Sequence, residues 1–251
     1  MYVFGAGTLI AKLNIDATGS TVATPTPVRL GAMQDVQGDI KFETKKLYGA
    51  QQFPLAVGRG KGSLDFKAKV ADINANVLGN LLFGTTAATG SRQGMIDSPL
   101  SVPASSPYTL TIAPPSSGTF IQDLGVVKAS TGAPMTRVAT PSAAGQYSVN
   151  ESTGVYTFSS GDAGIAVLVS FEYTTTTGQV FTMTNQLMGL APFFGVVLQE
   201  QYQGHVLTLK LNQCTSSQLS LPFKNEDFAI SDFSFEAMAD SAGIVGYISL
   251  T

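Results

Sequence analysis

A few places in this chain carry residue types that could do chemistry. Val57–Ser63 reads VGRGKGS, two basic groups among three glycines, the composition of a phosphate-gripping loop. A P-loop needs G-x-x-x-x-G-K-[ST], so that backbone N–H groups, a lysine and a hydroxyl converge on the phosphates. Here Lys61 is followed by Gly62, and Leu55 stands where the first glycine belongs. The dinucleotide pattern G-x-G-x-x-G fails as well, because Gly58 and Gly60 are followed by Ser63. Both motifs also require a helix directly after the glycines. SLDFKAKV follows instead, and its polar–apolar alternation reads as a strand. The stretch reads as a glycine-rich lead-in to that strand.

His205 is the sole histidine and Cys214 the sole cysteine. One of each excludes an intrachain disulfide and a Cys/His metal cluster. No nucleophile elbow precedes His205, which follows a turn glycine and opens a strand. Cys214 reads as a small buried thiol. Glu226-Asp227 and Asp232/Glu236 offer carboxylate pairs of the kind glycosidases use. On the wet side of a strand, such groups keep the surface hydrated. Calcium loops rich in Asp and Gly are not present, and there is no Trp for stacking sugars. The sequence implies no enzyme, no metal and no cofactor.

The elements that position these residues are mostly strands. The chain of 251 residues suffices for one large β domain or two smaller ones. Charged residues make up 12%, about half the usual share, while 44% are hydrophobic. No apolar run approaches the ~18 residues of a membrane span. Large neutral surfaces follow, and partner subunits are a natural cover for them. Net charge is −3, spread as +3 over residues 1–97, −2 over 98–178 and −4 over 179–251. That balance excludes a strongly basic nucleic-acid binder and favours copies meeting head to tail. A lone cysteine fits folding in a reducing cytoplasm. MYVFGAGTLIAKL lacks a basic leader and reads as a strand or arm, not a signal peptide.

Between Leu30 and Phe53, Val36, Ile40 and Phe42 share one parity, and Asp35, Gln37, Asp39, Lys41 and Glu43 the other. Period two predicts a half-buried strand with one wet face. Leu64, Phe66, Ala68 and Val70 alternate in the same way with Ser63, Asp65, Lys67 and Lys69, so the two strands are plausible neighbours. ADINANVLGNLLFG predicts one amphipathic helix. Asp72 is its N-cap, Ile73, Val77, Leu78, Leu81 and Leu82 form its apolar stripe, and Gly84 is its stop. Seven of the twelve prolines then fall between Ser98 and Gly178. Strand patterns persist there at Tyr108–Ile112, Gly125–Lys128, Tyr147–Val149, Val155–Phe158 and Ala166–Tyr173, which predicts an inserted all-β module. Two hairpins close the chain. One turns near Gly204; in the other, Phe233 and Phe235 face a core while Asp232, Ser234 and Glu236 face away.

The order of these segments carries a resemblance. KLYGAQQFPLAVGRGKGSLDFKAKV, a helix ending NVLGNLLFG, a β insertion, LTLKLNQC, and then LPFKNEDFAISDFSFEAMADSAGIVGYISL follow one another. Together they resemble the major tail tube proteins of long, non-contractile phage tails, across residues 28–97 and about 190–251. The patterns are loose, and their joint order is the specific part. PSAAGQYSVNESTGVYTFSSGDAGIAVLVSFEYTTT is similar to β modules inserted in many tail proteins.

The resemblance implies a mainly β fold: a two-sheet sandwich or half-barrel with one flanking α-helix. Residues 1–97 and 179–251 would be the tube core, and residues 98–178 a β-sandwich-like insert on the tube exterior. It implies a homo-oligomer, usually rings of six, stacked into a tube that conducts viral DNA in transient passage. Other tail proteins would be partners: a tape measure inside, with tip and terminator at the ends. No membrane is implied, and the location would be a virion tail assembled in the host cytoplasm. The candidate lumen face is Asp35, Gln37, Asp39, Lys41, Glu43, Ser63, Asp65, Asp232, Ser234 and Glu236. Lys67 and Lys69 would pair with Asp39 and Glu43 or mark a subunit boundary. Candidate inter-subunit contacts are Tyr2, Phe4, Lys45, Lys46, Tyr48, Phe53, Arg59 and Lys61, on an N-terminal arm and a stacking loop Lys45–Val57. VGRGKGS would hinge that loop to the wall strand, with Arg59 and Lys61 meeting acidic residues of a neighbour. The alternative is a carbohydrate- or receptor-binding β module of a virion or cell surface, resting on Ser98–Gly178.

Overall fold

The computed structural model describes residues 5–72, 77–223 and 225–251. The chain is mainly β and divides into two compact units, Met1–Ala87 with Phe181–Thr251, and Ala88–Val180. The first unit contains β1 (Thr8–Ile15), β2 (Val28–Arg29), β3 (Met33–Tyr48) and β4 (Pro54–Val70). The second contains β5 (Ala88–Ser101), β6 (Thr109–Thr111), β7 (Thr119–Lys128), β8 (Thr136–Arg137), β9 (Gln146–Asn150), β10 (Val155–Phe158) and β11 (Ala166–Val180). The chain then returns to the first unit with β12 (Phe193–Tyr202), β13 (His205–Ser220), β14 (Ser231–Met238) and β15 (Gly246–Leu250).

The strands of the first unit form one hydrogen-bonded sheet, in the order β2-β1-β12-β13-β14-β4-β3 with β15 also on β13. The expectation is a two-sheet sandwich or a half-barrel; in this unit the strands form a single sheet, and the length of β13 explains it. Along one edge β13 pairs with β12 from His205 to Cys214; along the other it takes β15 at Leu207–Leu211 and then β14 at Gln213–Ser220. One long strand therefore serves two partly separate halves. The buried face carries Leu9 and Ala11 of β1, Phe194 and Val196 of β12, Phe233 and Phe235 of β14, and Phe66, Ala68 and Val70 of β4. Phe194 and Phe235 stand on the strands flanking β13, and their rings meet edge to face at 5.9 Å. Cys214 of β13 pairs with Phe194 in the ladder, and its small side chain leaves room for the rings to meet. Phe66 stacks on Phe235 at 5.2 Å.

The predicted α-helix is, in its described part, a π-helical stretch Leu78–Phe83. Gly79 explains the wide turn: the Thr85 carbonyl lies where its Cβ would stand, and the Thr85 N–H donates to the Gly79 carbonyl. Gly84 ends the stretch with φ +59, as expected for a left-handed stop. Leu81 is fully buried in the core. Ile73 of the predicted stripe lies outside the described residues, and Val77 precedes the stretch with no side-chain cap.

The second unit has two sheets, β6-β10-β9-β8 and β5-β11-β7, which share one core. Phe120 of β7 meets Tyr156 of β10 edge to face at 6.1 Å and stacks on Phe171 of β11 at 6.0 Å, linking the sheets. Asp123 of β7 is buried beneath them and accepts hydrogen bonds from the hydroxyls of Tyr147 and Tyr156, each at 2.8 Å, and from the Gly125 N–H. Composition alone put the first boundary at Ser98. The strand β5 runs straight through that residue, paired with β11 from Ala88 to Ser101, so the compact unit starts at Ala88.

Candidate functional site

The ladder registers bring most of the predicted wet-face residues together. Asp35 pairs with Lys69 and Lys69 with Asp232; Gln37 pairs with Lys67 and Lys67 with Ser234. Asp39 pairs with Asp65, Asp65 with Glu236, and Lys41 with Ser63. On β13, Ser220, Gln218 and Thr215 continue the three rows. Four adjacent strands thus present one polar face, backed on β4 and β14 by Phe66, Ala68, Phe233 and Phe235. Glu43 lies farther out, at a register shift between Phe42 and Thr44.

The charges on this face are interleaved. Six carboxylates (Asp35, Asp39, Glu43, Asp65, Asp232 and Glu236) outnumber Lys41, Lys67 and Lys69, so the face is net negative. Asp39 and Asp65 stand directly opposite, an unfavourable pairing. The Lys41 ammonium relieves it, 3.4 Å from Asp39 and 3.9 Å from Asp65. Lys67 binds Asp232 at 3.1 Å, correcting the expected pairing with Asp39 or Glu43. The reason is register: Asp39 is opposite Asp65, whereas Lys67 stands beside β14. Such exposed pairs contribute about 0–1 kcal/mol each, so they tune the surface rather than hold the fold. Ser63 donates to Asp65 at 3.1 Å and Gln37 to Asp39 at 3.4 Å. No cluster able to hold a metal ion occurs among the described residues.

The expected stacking loop is instead the outer half of a long two-stranded arm. Pairing between β3 and β4 continues from Met33 with Val70 out to Tyr48 with Pro54, leaving only residues 49–53 as a turn. Alternation fails here. From Ile40 to Tyr48 on β3 and from Leu55 to Ser63 on β4, every residue is exposed, so the wet-face prediction holds only near the core. Ile40, Phe42, Leu47, Tyr48, Phe53, Leu55 and Val57 face solvent together with Lys45, Lys46, Arg59 and Lys61.

VGRGKGS lies inside β4, which corrects both the lead-in and the hinge reading. Its glycines have a packing role. A Cβ on Gly62 would stand 2.9 Å from the Phe42 ring across the ladder. The flattened ribbon lets Arg59 place its guanidinium 3.8 Å from the centre of that ring. Arg59 is thus held by cation–π attraction, and the backbone N–H groups of a strand do not converge as a phosphate cradle requires.

The other end of the same strand pair carries a feature that the sequence did not signal. An apolar recess is lined by Leu30, Val70, Val77, Leu82, Leu219, Leu221 and Phe233, with Gly31, Asp72 and Ser231 at its polar places. Its parts come from four segments far apart in sequence, which periodicity within one segment cannot reveal. The Ser231 hydroxyl is buried with no hydrogen-bond partner.

The remaining candidates are structural. His205 is exposed, with Nδ1 3.3 Å from the Thr251 carbonyl oxygen. Cys214 is fully buried, and burial pushes its thiol up to about 12. Glu226 and Asp227 are exposed in the connection between β13 and β14. Tyr2 and Phe4 lie outside the described residues. No described helix is long and apolar enough to cross a membrane. No family model matches the chain, and no curated protein matches its sequence.

Proposed function

We propose that this chain is a structural subunit of a phage tail tube, assembling into rings that stack around a DNA channel. The observation that supports this reading is the four-strand polar face on β3, β4, β14 and the outer half of β13. One side is hydrated and net negative, and the other is core. A wall facing water and DNA on one side and protein on the other needs that division. Negative charge repels the DNA backbone, so the polymer slides without sticking.

Both edges of this face are open. Among the described residues no strand pairs with the outer edge of β3, or with β13 beyond Cys214 on its β12 side. Open edges invite pairing, and ring closure removes them. The arm supports the same reading. A two-stranded ribbon exposed on both faces is marginal by itself, and its apolar side chains require a neighbour. The insert Ala88–Val180 would sit on the tube exterior.

The test is to change Asp35, Asp39, Asp232 and Glu236 to Lys in the phage. Tubes should still form, but DNA ejection should slow, and added salt should restore it by screening. Ejection at the normal rate in low salt contradicts the lumen assignment.

A further inference from the structure

We propose that the outer face of the sheet β5-β11-β7 is a docking surface for the connection Phe181–Pro192 of a second copy. The inference rests on the tube reading, in which copies repeat head to tail, and gives the second unit a part in joining them.

Two bulges build the surface. On β11, Val167, Val169 and Phe171 point into the core, so Leu168, Ser170 and Glu172 point out. Both neighbours of β11 break register at Ser170. On β5, Ile96 and Asp97 stand between the pairs Ser98–Val169 and Met95–Phe171. On β7, Leu124 stands between Gly125–Ser170 and Asp123–Phe171. Unbroken alternation from Leu100 and Val126 would turn Ile96 and Leu124 into the core. The bulges turn them outward, 65% and 48% exposed. Each bulge has a clasp. Asp97 sits at φ +54, its N–H donating to the Ser170 hydroxyl at 3.0 Å. Gly125 sits at φ +119, its N–H donating to the Asp123 carboxylate at 3.0 Å. The two side chains converge over Gly94: their Cδ1 atoms lie 3.8 and 3.9 Å from where its Cβ would stand. Pro99, Leu168 and Val127, paired in the neighbouring row, extend the apolar area.

The connection matches it. Residues 182–190 are all exposed and belong to no strand or helix. Met183, Leu187 and Met188 have no cover in their own chain. Flexible methionines suit an irregular apolar surface. Charge matches as well, since the connection carries no charged residue. On the sheet face, Arg92 and Glu172 neutralise each other at 2.9 Å, away from the apolar end. That leaves Asp97, for which the Asn185 amide is a suitable donor.

A chain cannot dock its own connection. Counted back along β11 from Val180, Ser170 and Leu168 lie about 33 and 40 Å away at about 3.3 Å per residue. Met183 and Met188 reach at most about 11 and 29 Å beyond Val180. The occupant is therefore another copy. Two different surfaces make a heterologous contact, which repeats from copy to copy.

Two single-cysteine variants test it, I96C on the sheet face and M188C on the connection, both at exposed positions. Cys214 is fully buried and does not compete. Under mild oxidation a mixture of the two should give a disulfide-linked pair on a non-reducing gel, and neither variant alone should. The double variant I96C/M188C should give a ladder of multimers. Ile96→Ser with Leu124→Ser should leave the circular dichroism spectrum unchanged and raise the concentration at which assemblies appear about tenfold or more.

Absence of the mixed pair overturns the docking; rings or tubes of the double variant seen by electron microscopy without any ladder do so while leaving the tube reading intact. A mixed pair and a ladder without tubes do the reverse. Crosslinking of M188C to itself alone also overturns the docking, since that marks an isologous contact.

Discussion

The two compact units solve the problem of folding differently. The second is self-contained. Its two sheets close over one aromatic core, and its buried Asp123 has partners in Tyr147, Tyr156 and Gly125. The first leaves much undone. Among the described residues, all the exposed large apolar side chains except Ile96 and Leu124 belong to it. A unit that buries what it can stands by itself; one that keeps exposed apolar ribbons and open edges leaves surface that a partner would cover.

The largest expected effect separates the units by stability. Phe235→Ala removes a ring that stacks on Phe66 and meets Phe194 over Cys214. It should cost about 3–5 kcal/mol. Denaturant unfolding followed by hydrogen exchange should show lost protection in β12–β14, with β7–β11 unchanged. Equal loss in both units would dissolve the distinction.

A smaller effect, in the opposite unit, comes from Asp123→Ala. It strands two buried tyrosine hydroxyls and should cost about 2–4 kcal/mol in β7–β11 alone. Burial, followed by the hydrogen bonds to Asp123, raises both tyrosines well above their ordinary value. An acid whose folded pKa is raised stabilises the fold while protonated. That stability is complete below about pH 10, where an unfolded tyrosine titrates, and declines as pH rises further. Protection of β9 and β10 should therefore fall as pH rises above about 10, and less so after Tyr147→Phe with Tyr156→Phe. An unchanged decline in that double variant contradicts the assignment.

The smallest effect on folding belongs to the arm. Arg59→Glu with Lys61→Glu removes the guanidinium from Phe42 and reverses the charge of a ribbon that holds no core. The melting temperature should barely move, while assembly measured by light scattering should be lost. Retained assembly would mean that the arm is not an interface.

How much of this was legible in the sequence follows from where burial is local. Val155–Phe158 was readable as a strand to the residue, and Leu64–Val70 as a half-buried one, because a single neighbouring core enforces period two. The polar rows from Asp35 to Glu236 were readable as sets, yet their pairing was not. Lys67 meets Asp232 because of a register fixed by three strands, which parity in one strand cannot specify. The arm was misread as loop and hinge because glycines usually break strands, whereas here Gly62 makes room for the Phe42 ring. The π-helical turn follows the same logic: Gly79, a poor helix former, gives clearance for the Thr85 carbonyl. The recess and Asp123 depend on contacts between distant segments and had no local signal.

The central claim is that the first unit is completed by copies of itself. Negative-stain electron microscopy of the purified protein over a range of concentrations tests it most directly. The account predicts rings with a central channel that lengthen into hollow tubes as concentration rises. A strictly monomeric protein at every concentration and ionic strength tried, with no ring or tube, would contradict it.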